Sequence, residues 1–166
     1  MLKLKKIVVV LLSLAMLFST SISAFAAGTP DTLSPYPPTY SGIVLDGANP
    51  PSSGADIHNL SVSSYSYQAK DFGYRIYTSK WLTGSKTMNV TVKDWKLIKE
   101  YGGTKDELTI RIFNSSKKEV KSQTITISGD VGSASFSGLS ASAKYYVCFE
   151  VPTNSNRYSF NGSISQ

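Results

Sequence analysis

The single histidine, His58, and the single cysteine, Cys148, bound the covalent chemistry open to this chain. A Ser–His or Cys–His catalytic pair would have to use His58. It stands in the polar run GADIHNL with no nucleophile elbow beside it, so an exposed loop histidine is the expectation. Zinc needs a full set of nitrogen or sulfur ligands, which one His and one Cys cannot supply, so neither a metal site nor a cofactor is expected. The carboxylates Asp94, Glu100, Asp106, Glu107 and Glu150 are the candidates for paired acid–base work on a glycosidic bond. Asp106 and Glu107 are neighbours at a strand start and would face opposite sides. Glu150 alternates with core residues and is expected to face solvent. Asp46, Asp56 and Asp130 are scattered loop acids without an oxygen-rich calcium loop, and they read as Asx turns. No residue set for catalysis emerges, and a non-enzyme is expected.

Aromatic side chains suggest more. There are ten Tyr, seven Phe and two Trp, and Tyr65, Tyr67, Tyr74, Tyr77, Trp81 and Trp95 fall within a short part of the chain. Exposed rings stack on sugar faces while neighbouring Asn, Lys and Arg bind hydroxyls. Trp81, in the turn-like SKWLTGS, leads this candidate ligand-binding set, with Trp95, Tyr77, Arg75 and Lys80 beside it. The same rings also serve as core and sheet-packing residues, which is the commoner use.

These residues must be positioned by a fold, and the first 26 residues are not part of it. Lys3, Lys5 and Lys6 precede the apolar run Ile7–Leu17, and Ala24-Phe25-Ala26 supplies a small-x-small cleavage pattern. The run is shorter than the roughly 20 residues that span a bilayer. A signal peptide cut after Ala26, a secreted extracellular product and no membrane attachment afterwards are expected. The lysine-rich leader suggests a Gram-positive source, so the sequons at Asn59, Asn89, Asn114 and Asn161 are not taken as glycosylated. Without the leader, 14 of the 17 Lys and Arg remain against 11 acids, a balance of +3. That is not the footprint of a nucleic-acid binder. A lone cysteine allows no internal disulfide, so a secreted chain of this kind must be held by its core.

Residues 27–58 are rich in Pro, Ser, Gly and Thr and read as a linker or arm, with Gly42–Asp46 as a possible added edge strand. From residue 59 to 166 apolar residues alternate in short runs: Tyr65/Tyr67, Phe72/Tyr74/Ile76, Met88/Val90/Val92, Leu108/Ile110/Ile112, Ile125/Ile127, Ala134/Phe136, Tyr145/Val147/Phe149 and Tyr158/Phe160. A strand continuing through Trp95 and Leu97 is preferred to a helix over Val92–Tyr101. Gly, Asn, Asp, Ser and Pro mark the breaks. The expected fold is all-β: an antiparallel two-layer β-sandwich of about eight strands, jelly-roll or immunoglobulin-like.

The run FSGLSASAKYYV, residues 136–147, resembles the tyrosine corner of fibronectin type III and related sandwiches, with Leu139 six residues before Tyr145. Ala141 and Ala143 stand where that corner often has Pro and Thr. More broadly, LTIRIFNSS, the Gly138-Leu139 corner, YYV and the closing YSFNGSIS resemble secreted bacterial jelly-roll modules of the prepeptidase C-terminal-like kind. The resemblance implies an accessory domain without catalysis of its own. The acidic calcium positions of some members have no counterpart here. The expected function is a non-catalytic binding module for an extracellular glycan or cell-wall polymer. The alternative is a structural or inhibitory protein acting through a protein partner. Two exposed tryptophans would favour the first, and a long apolar edge strand the second.

Overall fold

The computed structural model describes residues 29–35 and 47–166. The expected leader, the Gly42–Asp46 strand and Asp46 lie outside the described residues. Among those described there is no helix, and eleven strands form two mixed sheets. They are β1 (Asp31–Leu33), β2 (Ile57–Asn59), β3 (Tyr65–Phe72), β4 (Arg75–Tyr77), β5 (Trp81–Thr83) and β6 (Thr87–Lys99), then β7 (Glu107–Asn114), β8 (Glu119–Thr126), β9 (Gly132–Ser137), β10 (Tyr145–Glu150) and β11 (Arg157–Ser165). One sheet has the order β1-β3-β11-β6-β9. The other runs β2-β5-β10-β7-β8, with β4 also paired to β10.

Alternation explains why these segments are strands and which face each buries. Met88, Val90 and Val92 on β6, and Leu108, Ile110 and Ile112 on β7, are fully or almost fully buried, and the residues between them are not. The two sheets meet through one core. Tyr67 of β3 lies 4.8 Å from Phe149 of β10, and Phe149 lies 5.4 Å from Phe160 of β11, ring centroid to centroid. The expected corner is closed at one point: the Ser140 N–H donates to the Tyr145 hydroxyl at 2.9 Å.

Two expectations are corrected. The sheets are not purely antiparallel, because β1 pairs with β3 and β2 with β5 in parallel. Strand β1 and most of β2 come from the described parts of the 27–58 stretch, residues 29–35 and 47–58, where Leu33 is fully buried. A chain returning through a long connection can lie parallel to its neighbour, whereas a tight hairpin cannot. The strand count rises from about eight to eleven through these two strands and through β5, which continues along β10 after a break at Thr78–Lys80. There the Thr78 hydroxyl accepts from the Val147 N–H at 3.2 Å and replaces a ladder bond.

Strand β6 does run through Trp95 and Leu97, but its period slips. Asn161 pairs with Lys93 while Ser159 pairs with Lys96, so two residues of β6 face one of β11. Asp94 takes up the slip with a positive φ of 54°. The bulge turns Trp95 inward where strict alternation would turn it out.

Candidate functional site

The candidate residues do not form one group. Trp95 belongs to the core, 5 % exposed, at 4.8 Å from Tyr158 and 5.4 Å from Phe160. It makes no surface for a ligand, because the bulge at Asp94 points it between the sheets. Lys80 leaves the ladder at the β4–β5 break and faces Asp31, its Nζ 3.6 Å from Oδ1. Arg75, Tyr77 and Trp81 share the side of the second sheet turned away from the core.

That side is built on β10. Its sequence YYVCFE is apolar on both faces, and the whole strand except Glu150 is buried. Tyr145, Val147 and Phe149 enter the core, while Tyr146, Cys148 and Glu150 point outward. Over Tyr146 the rings gather: Phe113 stacks on it at 5.1 Å and 6°, and Trp81 and Tyr77 meet it edge-on at 5.7 and 6.1 Å. Trp81 is 6 % exposed, not the exposed turn residue expected, and its Nε1 donates to the Ser52 carbonyl at 2.7 Å. Its role is to fasten the 47–56 segment and to back Tyr146, so any ligand meets Tyr77 before it meets Trp81.

Beside these rings sits a charge cluster that corrects the expectation for Glu150. Its carboxylate is not simply solvent-facing. Arg75 Nε donates to Oε2, and Arg111 donates through Nη2 to Oε1 at 3.1 Å and through Nε to Oε2 at 3.3 Å. Arg111 also reaches Glu119 at 3.1 Å. Burial alone would raise the Glu150 pKa, but the hydrogen bonds from Arg111 and Arg75 outweigh it and hold the carboxyl below its ordinary value. The same bonds raise both guanidinium pKa values. Cys148 lies between the two arginines on β10, and burial pushes its thiol up to about 12. It is a free thiol shielded by burial on the outer side of the strand.

An open groove of about 560 Å³ runs over β4. Tyr74, Arg75, Tyr77 and Arg157 line it. Tyr74 is 46 % exposed, with the Arg75 guanidinium 4.6 Å above its ring. Arg157 is held by Asp71 at 2.8 Å. Each guanidinium in the groove is thus oriented by a carboxylate, and two phenol rings flank Arg75. Such an arrangement offers stacking surface and fixed donors.

The other sequence candidates are dispersed. His58 donates through Nε2 to the Ser63 carbonyl at 2.9 Å and packs edge-on to Tyr65. Strand β5 separates its strand from that of Cys148. Glu100 pairs with Lys105, and Asp94 accepts from Asn161 at 2.9 Å. Among the described residues no three His, Cys, Asp or Glu come together as a metal would require. Sequence reasoning missed Arg111, Phe113, Tyr146 and Tyr74 as parts of one surface. The available signal was the two-faced apolarity of β10, which requires its outer side to be covered as well. Compared with known proteins, the chain matches no family profile and no curated relative.

Proposed function

We propose that this chain is a secreted, non-catalytic binding module that holds an extracellular glycan or cell-wall polymer in the groove over β4. The observation that carries the reading is the pairing of Tyr74 and Tyr77 with an arginine clamped by Glu150. Rigid rings accept the apolar face of a sugar, and a pre-oriented guanidinium donates to its hydroxyl or carboxylate oxygens at little ordering cost. Arg75 and Tyr77 are the direct contacts in this reading. Trp81 supports them from behind, Lys80 belongs to a different concavity, and Trp95 has no part. The two facing sheets are best read as a β-sandwich of the accessory-module kind, a likeness supported by the Tyr145–Ser140 corner.

Both tryptophans are buried, and among the described residues the edge strand β8 carries Glu119, Lys121, Gln123 and Thr124 instead of an apolar row. A charged, polar edge resists strand addition, so the groove takes precedence over an edge-mediated protein contact. Isothermal titration of the purified protein against neutral and acidic soluble polysaccharides tests the reading. Tyr77→Ala should weaken binding about tenfold, equivalent to about 1.4 kcal/mol of ring contact. Binding untouched by Tyr77→Ala and Arg75→Met, or no polysaccharide bound at all, overturns it.

A further inference from the structure

A second concavity, of about 650 Å³, opens where β1, β2, the turn at 60–64, the start of β3, Lys80 and the end of β11 meet. It falls within the roughly 300–1,000 Å³ typical of small-ligand sites. It shares no residue with the groove over β4.

Asp31 is fixed within it on one oxygen only. Oδ2 accepts the Tyr65 hydroxyl at 3.0 Å and the Ser79 hydroxyl at 2.6 Å. Oδ1 faces the Lys80 ammonium at 3.6 Å, beyond the roughly 2.7–2.9 Å of a direct charged hydrogen bond. The two groups therefore stand side by side, each with bonding capacity left. Tying β1 to β3 needs only the Oδ2 bonds, so that structural role leaves Oδ1 and Lys80, among the described residues, paired loosely with each other alone.

The rest of the lining is hydroxyl-rich and already shaped. Ser63, Ser64, Ser66 and Ser165 border the space, and among the described residues no protein group bonds their hydroxyls. The turn that forms the rim is closed on itself. Val62 and Ser63 N–H donate to the Asn59 carbonyl at 3.1 and 3.3 Å, and the Ser61 N–H donates to Asn59 Oδ1 at 3.0 Å. Val62, 68 % exposed, sets an apolar surface against these polar groups.

We propose that this crevice binds the end of a neutral carbohydrate, a mono- or disaccharide unit, through a vicinal diol. One hydroxyl donates to Asp31 Oδ1, its neighbour accepts from Lys80 Nζ, and the serines take the remaining hydroxyls. The adjoining opposite charges disfavour a ligand of either net charge, and the site stands whether or not the groove over β4 binds anything.

Amide chemical shifts of the full-length protein, titrated separately with glucose, N-acetylglucosamine and cellobiose, test this. At least one of the three should shift the amides of 61–66, Lys80 and Ser165 saturably in the millimolar range. Lys80→Met should weaken that response at least tenfold and Ser66→Ala severalfold, while Tyr77→Ala leaves it unchanged. Absence of a saturable shift at these amides with all three sugars overturns the proposal, as does an undiminished response in Lys80→Met. Shifts confined to residues 74–77 and Arg157 overturn it too, while leaving the reading of the β4 groove intact.

Discussion

Adding one methyl group at Gly162 is expected to cost about 2–6 kcal/mol of stability. Gly162 sits on β11 between Tyr67 of β3 and Val92 of β6, in the middle of the first sheet. The Tyr67 side chain passes over it, and its hydroxyl donates to the Thr91 carbonyl at 2.8 Å. A Cβ on residue 162 would stand 2.6 Å from Tyr67 Cζ and closer still to the Tyr67 hydroxyl and the Thr91 carbonyl oxygen. Carbon atoms rest at about 3.5–4.0 Å from one another, so something must move. The Thr91 carbonyl is backbone in a central strand, and Tyr67 is wedged between Phe149 and Phe160, 1 % exposed. Overpacking of this sort costs about 1–3 kcal/mol. Displacing the Tyr67 hydroxyl leaves a buried donor unpaired for about 1–3 kcal/mol more. Against a total of about 5–15 kcal/mol this is severe. At about 3–5 °C per kcal/mol for a domain of this size, the melting temperature should fall by about 6–30 °C. Thermal unfolding followed by near-ultraviolet circular dichroism measures it. A Gly162→Ala protein melting within about 3 °C of the parent would refute the packing of β3, β11 and β6 described above.

Glu150→Gln should lower stability at neutral pH by on the order of 1 kcal/mol, between the values of a surface pair and a buried charged bond. Because the folded pKa of Glu150 is depressed, its contribution is present above the ordinary carboxyl pKa and disappears as pH falls through the folded value. The gap between parent and variant in urea midpoints should therefore close on acidification below about pH 4.5; a constant gap sinks the assignment. Cys148, with its thiol pushed up to about 12 by burial, should resist a thiol reagent at pH 8 until the protein is unfolded in guanidinium. Reaction at the rate of a free thiol in the native state would contradict its burial. Trp95 Nε1 is buried and finds no protein acceptor among the described residues, so Trp95→Phe should stay within about 1 kcal/mol of the parent while Trp95→Ala loses about 3–5 kcal/mol. Urea unfolding compares them, and equal losses would mean that the indole N–H is paired after all.

The strands were legible because alternation is a local property: Met88/Val90/Val92, Leu108/Ile110/Ile112 and Tyr158/Phe160 each state which face is apolar without reference to any other part of the chain. Tyr145 was legible in the same way, through its distance from Leu139 along one corner. Strand neighbours were not, since the parallel pairing of β1 with β3 and of β2 with β5 depends on where an irregular, proline-rich stretch finds an open edge. Trp95 was misplaced because a bulge at Asp94 shifts the inward face by one residue, and the shift is visible only against the register of β11. The candidate site shows the same division. That Arg75, Tyr77 and Trp81 are ring and cation groups was written in their types, but their assembly with Arg111, Phe113, Tyr146 and Glu150 required β4, β5 and β7 to flank β10. The sequence by itself determined the periodicity, the single histidine and single cysteine, and the kinds of side chain available for binding. Tertiary structure alone decided which tryptophan is core, which carboxylate is clamped and which concavities exist, because burial and pairing arise between segments that the chain order keeps far apart.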